Sequence, residues 1–248
     1  MERRSVLVTG ASRGIGAAVA RAFAETGDRV AVHYGSNRAA AEATLSSLPG
    51  DGHLAVPADL ADPDAVLRMV DTAASTLGGI DVLVNNAGVF EPHPITEVSY
   101  EDWQRAWSQT LAVNLVGAAN VTWCAVRHLP VGGRIVNIAS RGAYRGEPEH
   151  PAYGASKAGL TSLGQSLALA LGHRRIAVTT VAPGWVSTDM AAEALAGADG
   201  DVRRRESPLH RVATPEEVAR AVVYLASPDA EYATGAVLDF NGASHLRL

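Results

Sequence analysis

Seven short runs rich in β-branched residues recur along this chain, and longer helical stretches separate them. SVLVT (5–9), RVAVH (29–33), HLAVP (53–57), DVLVN (81–85), RIVNIA (134–139), IAVTTVA (176–182) and AVLDF (236–240) read as strands. Most are apolar on both faces, so water must be excluded from both sides of the sheet they form. Helices do that only when they cover each face, which predicts an α/β, doubly wound architecture of about seven parallel strands with helices on both faces. The intervening segments carry helix starts. Asp62 before Pro63 is an N-cap followed by a first-turn proline, and Thr214-Pro215-Glu216-Glu217 is a capping box. With no internal repeat and no Pro/Gly/Ser linker, residues 1–248 are expected to form a single domain. The stretch 183–211, with AGADGD at 196–201 and Arg203-Arg204-Arg205, reads as an irregular lid or binding loop.

Composition excludes several function classes. A formal net charge of −5 supplies no global positive field for nucleic acid or an anionic membrane. Cys124 is the one cysteine, so no intramolecular disulfide can form, and a reducing cytoplasm fits. The apolar run after Arg3 and Arg4 reaches Gly10 too soon for a signal-peptide core. Nothing approaches the roughly 18 apolar residues of a membrane span. The expectation is a cytoplasmic protein with neither a nucleic-acid nor a membrane partner.

The first strand runs directly into TGASRGIG and then a helix, placing Gly10, Gly14 and Gly16 at the turn. Such a turn brings backbone N–H groups close to a phosphate that the helix N-terminus also attracts, the device of the Rossmann fold. The spacing GxxxGxG differs from the common GxGxxG, and without GK[ST] it is no nucleoside-triphosphate loop. Glycines also serve tight turns that hold nothing. An NAD site ordinarily offers a carboxylate to the ribose about 20 residues after the glycines. Here Tyr34, Gly35, Ser36, Asn37 and Arg38 follow the second strand and contain none. Arg13 and Arg38 are placed to pair with a 2′-phosphate instead, which favours NADP(H) as cofactor; solvated surface charges are the other account of these two arginines.

TGASRGIG at 9–16, Asp59 after the third strand, NNAG at 85–88, Asn114, Ser140, Tyr153 with Lys157, and Pro183-Gly184 together resemble the short-chain dehydrogenase/reductase family in its single-domain form. The match runs from residue 5 to about 242. Each motif alone is modest, whereas their order and spacing are specific. The resemblance implies that Gly10, Ser12, Arg13 and Ile15 border the cofactor phosphates and that Asp59 and Leu60 meet the adenine. It places Asn86, Ala87 and Gly88 beside the adenosine, and Val186 and Thr188, after Pro183 and Gly184, beside the nicotinamide carboxamide. Asn114, Ser140, Tyr153 and Lys157 take the positions of the catalytic tetrad. No metal ligand is assigned.

The residue types suit the chemistry. Hydride transfer to a carbonyl carbon leaves an oxygen that needs a proton. The Tyr153 phenol is placed to give it. Lys157, four residues on along a helix, shares its face and is expected to lower the phenol's pKa from about 10 toward working pH. Ser140 would hold and polarise the carbonyl oxygen. In the pattern the resemblance supplies, Asn114 would hold a water next to Lys157.

Within the family the SRGIG loop looks most like the 3-oxoacyl-(acyl carrier protein) reductases, which implies a β-ketoacyl thioester reduced by NADPH, carried on an acyl carrier protein. Arg127, Arg174, Arg175 and Arg203 to Arg205 are candidates to receive that acidic carrier, or are solvated charges. Trp185, Met190, Tyr144 and His93 are candidates for the substrate pocket. The charged segment 141–150 favours a second substrate reading, a sugar, polyol or secondary alcohol taken mostly in the oxidative direction. A non-catalytic NADP(H) sensor is a third reading, against which the intact tetrad argues. The family's usual homotetramer is expected, with Leu160, Leu163, Leu167 and Leu171 as core or subunit contact.

Overall fold

The computed structural model describes residues 3–247. All seven predicted runs are strands: β1 (Ser5–Val8), β2 (Arg29–Tyr34), β3 (Leu54–Pro57), β4 (Val82–Asn85), β5 (Arg134–Ile138), β6 (Ala177–Pro183) and β7 (Val237–Phe240). They form one sheet in the order β3-β2-β1-β4-β5-β6-β7, and every pairing is parallel. The helices between them are α1 (Gly14–Glu25), α2 (Arg38–Ser47), α3 (Pro63–Leu77), α4 (Tyr100–Leu111), α5 (Ala118–Val126), α6 (Gly142–Arg145), α7 (Pro151–Leu171), α8 (Asp189–Ala196), α9 (Gly200–Arg205) and α10 (Pro215–Leu225). A π-helical stretch, Ala112–Gly117, joins α4 to α5.

Side-chain alternation along the strands builds two cores. Val6 and Val8 of β1 join Val30, Val32 and Tyr34 of β2 under α1 and α10, where Phe23, Val218 and Val222 close the layer. Leu7 and Ala31 point the other way, into a core with Met69, Val70 and Leu77 of α3 and Val121 of α5. A fully buried side chain of this size contributes about 1.5–3 kcal/mol, so the two layers supply the bulk of the folding free energy. Helix ends are fixed as the sequence indicates. The Asp62 carboxylate accepts from the N–H groups of Asp64 and Ala65. Thr214 and Glu217 complete the capping box, and Arg211 holds Glu217 at 2.7 Å and pushes its pKa down to about 2.

The stretch 183–211 departs from the irregular loop expected of it, because it contains α8 and α9. Met190 to Ala196 are good helix formers behind an acidic first-turn Asp189, and Arg203 and Arg204 donate to the carbonyls of Ala194 and Leu195 at 2.9 and 3.0 Å. Two cations thereby satisfy the acceptors that the end of α8 leaves free. Gly197 to Asp199 make the turn between the two helices. Among the described residues no helix is long and apolar enough to cross a membrane.

Strand order reverses between β1 and β4, since β2 and β3 lie on one side of β1 and the remaining strands on the other. At such a switch point the loops leaving neighbouring carboxyl ends diverge and open a crevice.

Candidate active site

That crevice is a cleft of about 820 Å³. Its floor begins at the turn after β1. Gly10 takes a φ of +62°, and a Cβ there would stand 2.8 Å from the Ala87 Cα, while one at Gly16 would stand 2.5 Å from the Asn86 Nδ2. Neither distance is tolerable for real carbon, so glycine at both positions lets the turn nest against the loop after β4. The Asn86 amide holds that nest by donating to the carbonyls of Thr9 and Gly10 at 2.9 and 3.1 Å.

His33, 2% exposed, sits beneath the turn. The Gly10 N–H donates to its Nδ1 at 2.9 Å, which fixes the proton on Nε2, and Nε2 donates to the Ala58 carbonyl at 3.1 Å. Burial holds the ring below its ordinary pKa and so keeps it neutral. One side chain therefore pins the loops after β1 and β3 to the end of β2.

At the other end of the cleft, Ser140 follows β5 and Tyr153 and Lys157 stand on the first turns of α7. Lys157 is 3% exposed, and its Nζ donates to the Ile138 carbonyl at 2.8 Å and lies 5.6 Å from the Tyr153 ring centroid. Burial alone pulls the ammonium down to about 8. The phenol is pushed up to about 12, chiefly by burial and further by the Glu147 carboxylate, against a Ser140 hydrogen bond that lowers it. The expectation that Lys157 depresses Tyr153 is therefore not met in this structure. Burial sets the shift, and the ammonium is turned to a backbone carbonyl.

Asn114 lies in the π-helical stretch, fully buried. Its Oδ1 accepts from the Val89 N–H at 2.8 Å, and its Nδ2 donates to the Val89 carbonyl at 3.0 Å and to the Ser156 Oγ at 3.2 Å. The side chain is thus committed to bracing the loop after β4 against α7. A Cβ at Gly88 would lie 3.3 Å from the Asn114 Oδ1 and 3.5 Å from the Lys157 Nζ, so the two residues converge behind that loop. Single π-turns of this kind recur at functional sites.

Three kinds of similarity bear on this geometry. Residues 10–245 match the family model described as enoyl-(acyl carrier protein) reductase. The chain is 38% identical over 246 residues to D-threitol dehydrogenase of Mycolicibacterium smegmatis, covering 98% of this chain and 93% of that one. It is 35% identical over 250 residues to the 3-oxoacyl-[acyl-carrier-protein] reductase FabG of Staphylococcus aureus, covering 98% of each. An uncharacterized short-chain type dehydrogenase/reductase of Sinorhizobium fredii is 41% identical over 242 residues, and this chain spans only 43% of that longer protein. The crystal structure of a short chain dehydrogenase from Burkholderia cenocepacia in complex with NADP superimposes with a TM-score of 0.89 at 36% identity over 97% of both chains.

The chain belongs to the short-chain dehydrogenase/reductase family.

Most residues the sequence nominates in this short-chain dehydrogenase/reductase do line the cleft. Gly10, Ser12, Arg13, Gly14 and Ile15 line its first wall, with Gly35, Ser36 and Asn37 at the end of β2 and Asp59 and Leu60 after β3. Asn86, Ala87 and Gly88 follow, then Ser140, Tyr153 and Lys157, and finally Pro183, Gly184, Val186 and Thr188. Four others lie elsewhere. Tyr34 points into the α1 core beside Val30 and Val32, because strand alternation gives residues 30, 32 and 34 one face. Arg38 opens α2 with its guanidinium 2.7 Å from Glu42, one helical turn on, and does not reach the cleft. Gly16 packs under the turn and Asn114 behind the wall, so both act on the cleft from outside it.

Of the pocket candidates, Trp185 and Met190 line the cleft. Tyr144 stacks against Arg247 instead. His93 is 1% exposed and serves α7: its Nδ1–H donates to the Glu91 carbonyl at 2.7 Å, and its Nε2 accepts from the Ala152 N–H at 3.1 Å. A free donor at the start of the helix that carries Tyr153 is satisfied in that way, since His150 at the cap position makes no side-chain bond. The cleft also takes in His33, Phe90, Arg141 and Glu147, which the family motifs pass over. His33 had a local signal, a polar residue inside an otherwise apolar strand. Phe90 had none. It stacks on His150 at 3.6 Å and meets the Tyr153 ring edge-on at 4.7 Å.

Proposed function

We propose that the chain is an NADP(H)-dependent oxidoreductase that interconverts a ketone and a secondary alcohol, with Tyr153 as the proton donor. The observation that carries this is the convergence of the Gly10–Gly16 turn with Ser140, Tyr153 and Lys157 in one cleft. The residues present suit a dinucleotide: two glycines where a Cβ would clash, a helix N-terminus at Gly14, and Arg13, exposed at the cleft with no side-chain partner among the described residues. When bound, the cofactor supplies or accepts the hydride. Gly35, Ser36 and Asn37 would receive the adenosine ribose without a carboxylate, and Arg13, rather than Arg38, would pair with a 2′-phosphate.

The chain's own chemistry follows from burial. Tyr153, held protonated at neutral pH, gives its proton to the carbonyl oxygen that the Ser140 hydroxyl orients. Lys157 keeps a positive charge next to the phenolate that results. The Asn114 side chain, committed to Val89 and Ser156, positions the loop after β4 beside Lys157.

Two substrate readings share this chemistry. The 3-oxoacyl thioester is supported by the likeness to the S. aureus reductase. A small polar ketone is favoured by the charged wall of Arg141 and Glu147 and by the likeness to D-threitol dehydrogenase. The arginines nominated for a carrier protein are mostly taken: Arg127 by Asp71, Arg174 by the carbonyls of Val126 and Leu129, Arg175 by Glu231, and Arg204 by Asp201. Val116, Trp123 and Leu169, 51%, 66% and 88% exposed, support a homotetramer as part of this proposal.

Steady-state kinetics with both cofactors tests the reading. NADPH is expected to exceed NADH in kcat/KM at least ~10-fold, and Arg13→Ala to remove most of that preference by losing a charge-assisted contact. A preference for NADH, or equal losses on both cofactors, would sink the 2′-phosphate assignment. Gly16→Ala has the better helix former, by up to about 1 kcal/mol, yet its methyl would run into the Gly10 carbonyl oxygen. Overpacking wins: stability is expected to drop by about 1–3 kcal/mol and cofactor affinity at least ~10-fold, read by calorimetry.

A further inference from the structure

The cleft beyond Tyr153 contains one carboxylate that the tetrad does not employ. Glu147 lines the same cavity as Ser140 and Tyr153. Its side chain lies on the Gly142 backbone so closely that a Cβ at Gly142 would stand 2.8 Å from the Glu147 Cγ. Gly142 in turn donates its N–H to the Ser140 Oγ at 3.0 Å, so the carboxylate rests on the same loop that aims the serine. The nearby cations are spent elsewhere. Arg141 pairs with Glu206 and donates to the Ser244 Oγ at 2.6 Å, and Arg145 reaches Glu206 at 3.3 Å. The Glu147 carboxylate makes no hydrogen bond or ion pair with any described residue, while its backbone carbonyl accepts from the His150 N–H at 3.0 Å. Burial raises its carboxyl pKa, against the fields of Arg141 and Arg145, as befits an acceptor short of solvent and of donors.

We propose that Glu147 is a specificity-determining residue that accepts a hydrogen bond from a hydroxyl on the carbon next to the reacting carbonyl, so that the substrate class is the α-hydroxyketone and the corresponding vicinal diol. This rests on the ketone-reductase reading above. A carboxylate offers only acceptors, so it discriminates in favour of a donor. An acyl thioester or a plain ketone brings no donor to that place and leaves a half-buried charge unpaired. Sites built around a buried acceptor reject analogues that lack the matching hydroxyl far more strongly than apolar pockets reject a methylene. Trp185 also lines the cleft, with the guanidinium groups of Arg141 and Arg203 at 5.8 and 5.4 Å from its ring centroid, so that Arg141, which lines the cleft with Glu147, is engaged with the indole and with Glu206.

Hydroxyacetone and butan-2-one differ by a hydroxyl in place of a methyl and form the test pair, with acetoacetyl thioester as a third substrate. For the full chain with NADPH, hydroxyacetone is expected to exceed butan-2-one in kcat/KM at least ~100-fold, and Glu147→Ala to collapse that ratio toward unity. Glu147→Gln keeps an acceptor oxygen and is expected to fall between; it also serves if the alanine variant fails to fold, as judged by cofactor affinity. An unchanged ratio in both variants overturns the role of Glu147 while Tyr153-dependent turnover leaves the reductase reading standing. A wild-type preference for the thioester or for butan-2-one overturns the hydroxyketone class alone. No turnover of any of the three overturns the reductase reading, and this proposal with it.

Discussion

Tyr153→Phe is expected to lower kcat for ketone reduction about 1,000-fold while cofactor affinity changes by less than about twofold, a loss within the usual range of a positioned general acid. The reason lies in what the substitution leaves in place. Phenylalanine preserves the ring that Phe90 meets edge-on at 4.7 Å and that helps to wall the cleft, and it removes only the hydroxyl. That hydroxyl is protonated at neutral pH because burial, more than any neighbouring charge, pushes it up to about 12. Without it the tetrad holds no ready proton donor for the alkoxide: Ser140 is a poor acid, and Lys157 is turned to the Ile138 carbonyl. Single-turnover kinetics and cofactor titration on the same preparation read both quantities. Reduction at a rate near wild type would remove Tyr153 from the proton-transfer step.

Lys157→Met is expected to move activity and stability in opposite directions. Ketone reduction should fall about 100- to 10,000-fold, because no cation is left to stabilise the phenolate as it forms. Stability should rise. The folded-state pKa of Lys157 is depressed from 10.5 to about 8, so between those two values the unfolded chain binds more protons than the folded one, and wild-type stability increases with pH across that window. Below about pH 8 the desolvation cost is borne in full, and Met removes it there. That depression corresponds to about 3 kcal/mol at most, and losing the bond to the Ile138 carbonyl returns about 1 kcal/mol, which leaves a net gain of about 1–2 kcal/mol. Denaturant melts at pH 7 and pH 10.5 check the sign: the gain is expected at the lower pH and should vanish or turn slightly negative at the higher, where the desolvation cost is nearly gone and the lost bond remains. A variant less stable than wild type at pH 7 would mean that Lys157 braces the fold more than burial penalises it. In the wild type, kcat/KM for reduction is expected to decline above about pH 8 as the ammonium deprotonates.

Several features of the site were open to sequence reasoning because local chemistry enforces them. Short β-branched runs indicated each of β1 to β7, because the inner strands of a sheet covered on both faces must be largely apolar. Glycine at 10 and 16 reported a close approach before any neighbour was known, and the Tyr153–Lys157 spacing reported a shared helix face. Alternation could also have excluded Tyr34 from the cleft, because it shares the parity of Val30 and Val32, while His33 has the parity of Ala31. The i,i+4 relation of Arg38 and Glu42 likewise pointed that guanidinium along its own helix.

Periodicity and backbone sterics act over a few residues, so the order of elements, the parallel sheet and the set of side chains that could meet at its carboxyl edge are legible in the chain itself. The tertiary structure alone decided which of them do meet and in what electrical state. His33 under Gly10, His93 at the head of α7 and Glu147 on Gly142 are contacts made across the fold or around a turn, with no local pattern to announce them. The direction of the Tyr153 shift was decided there as well. Desolvation depends on everything packed around a group, and here it sets the shift of the phenol upward.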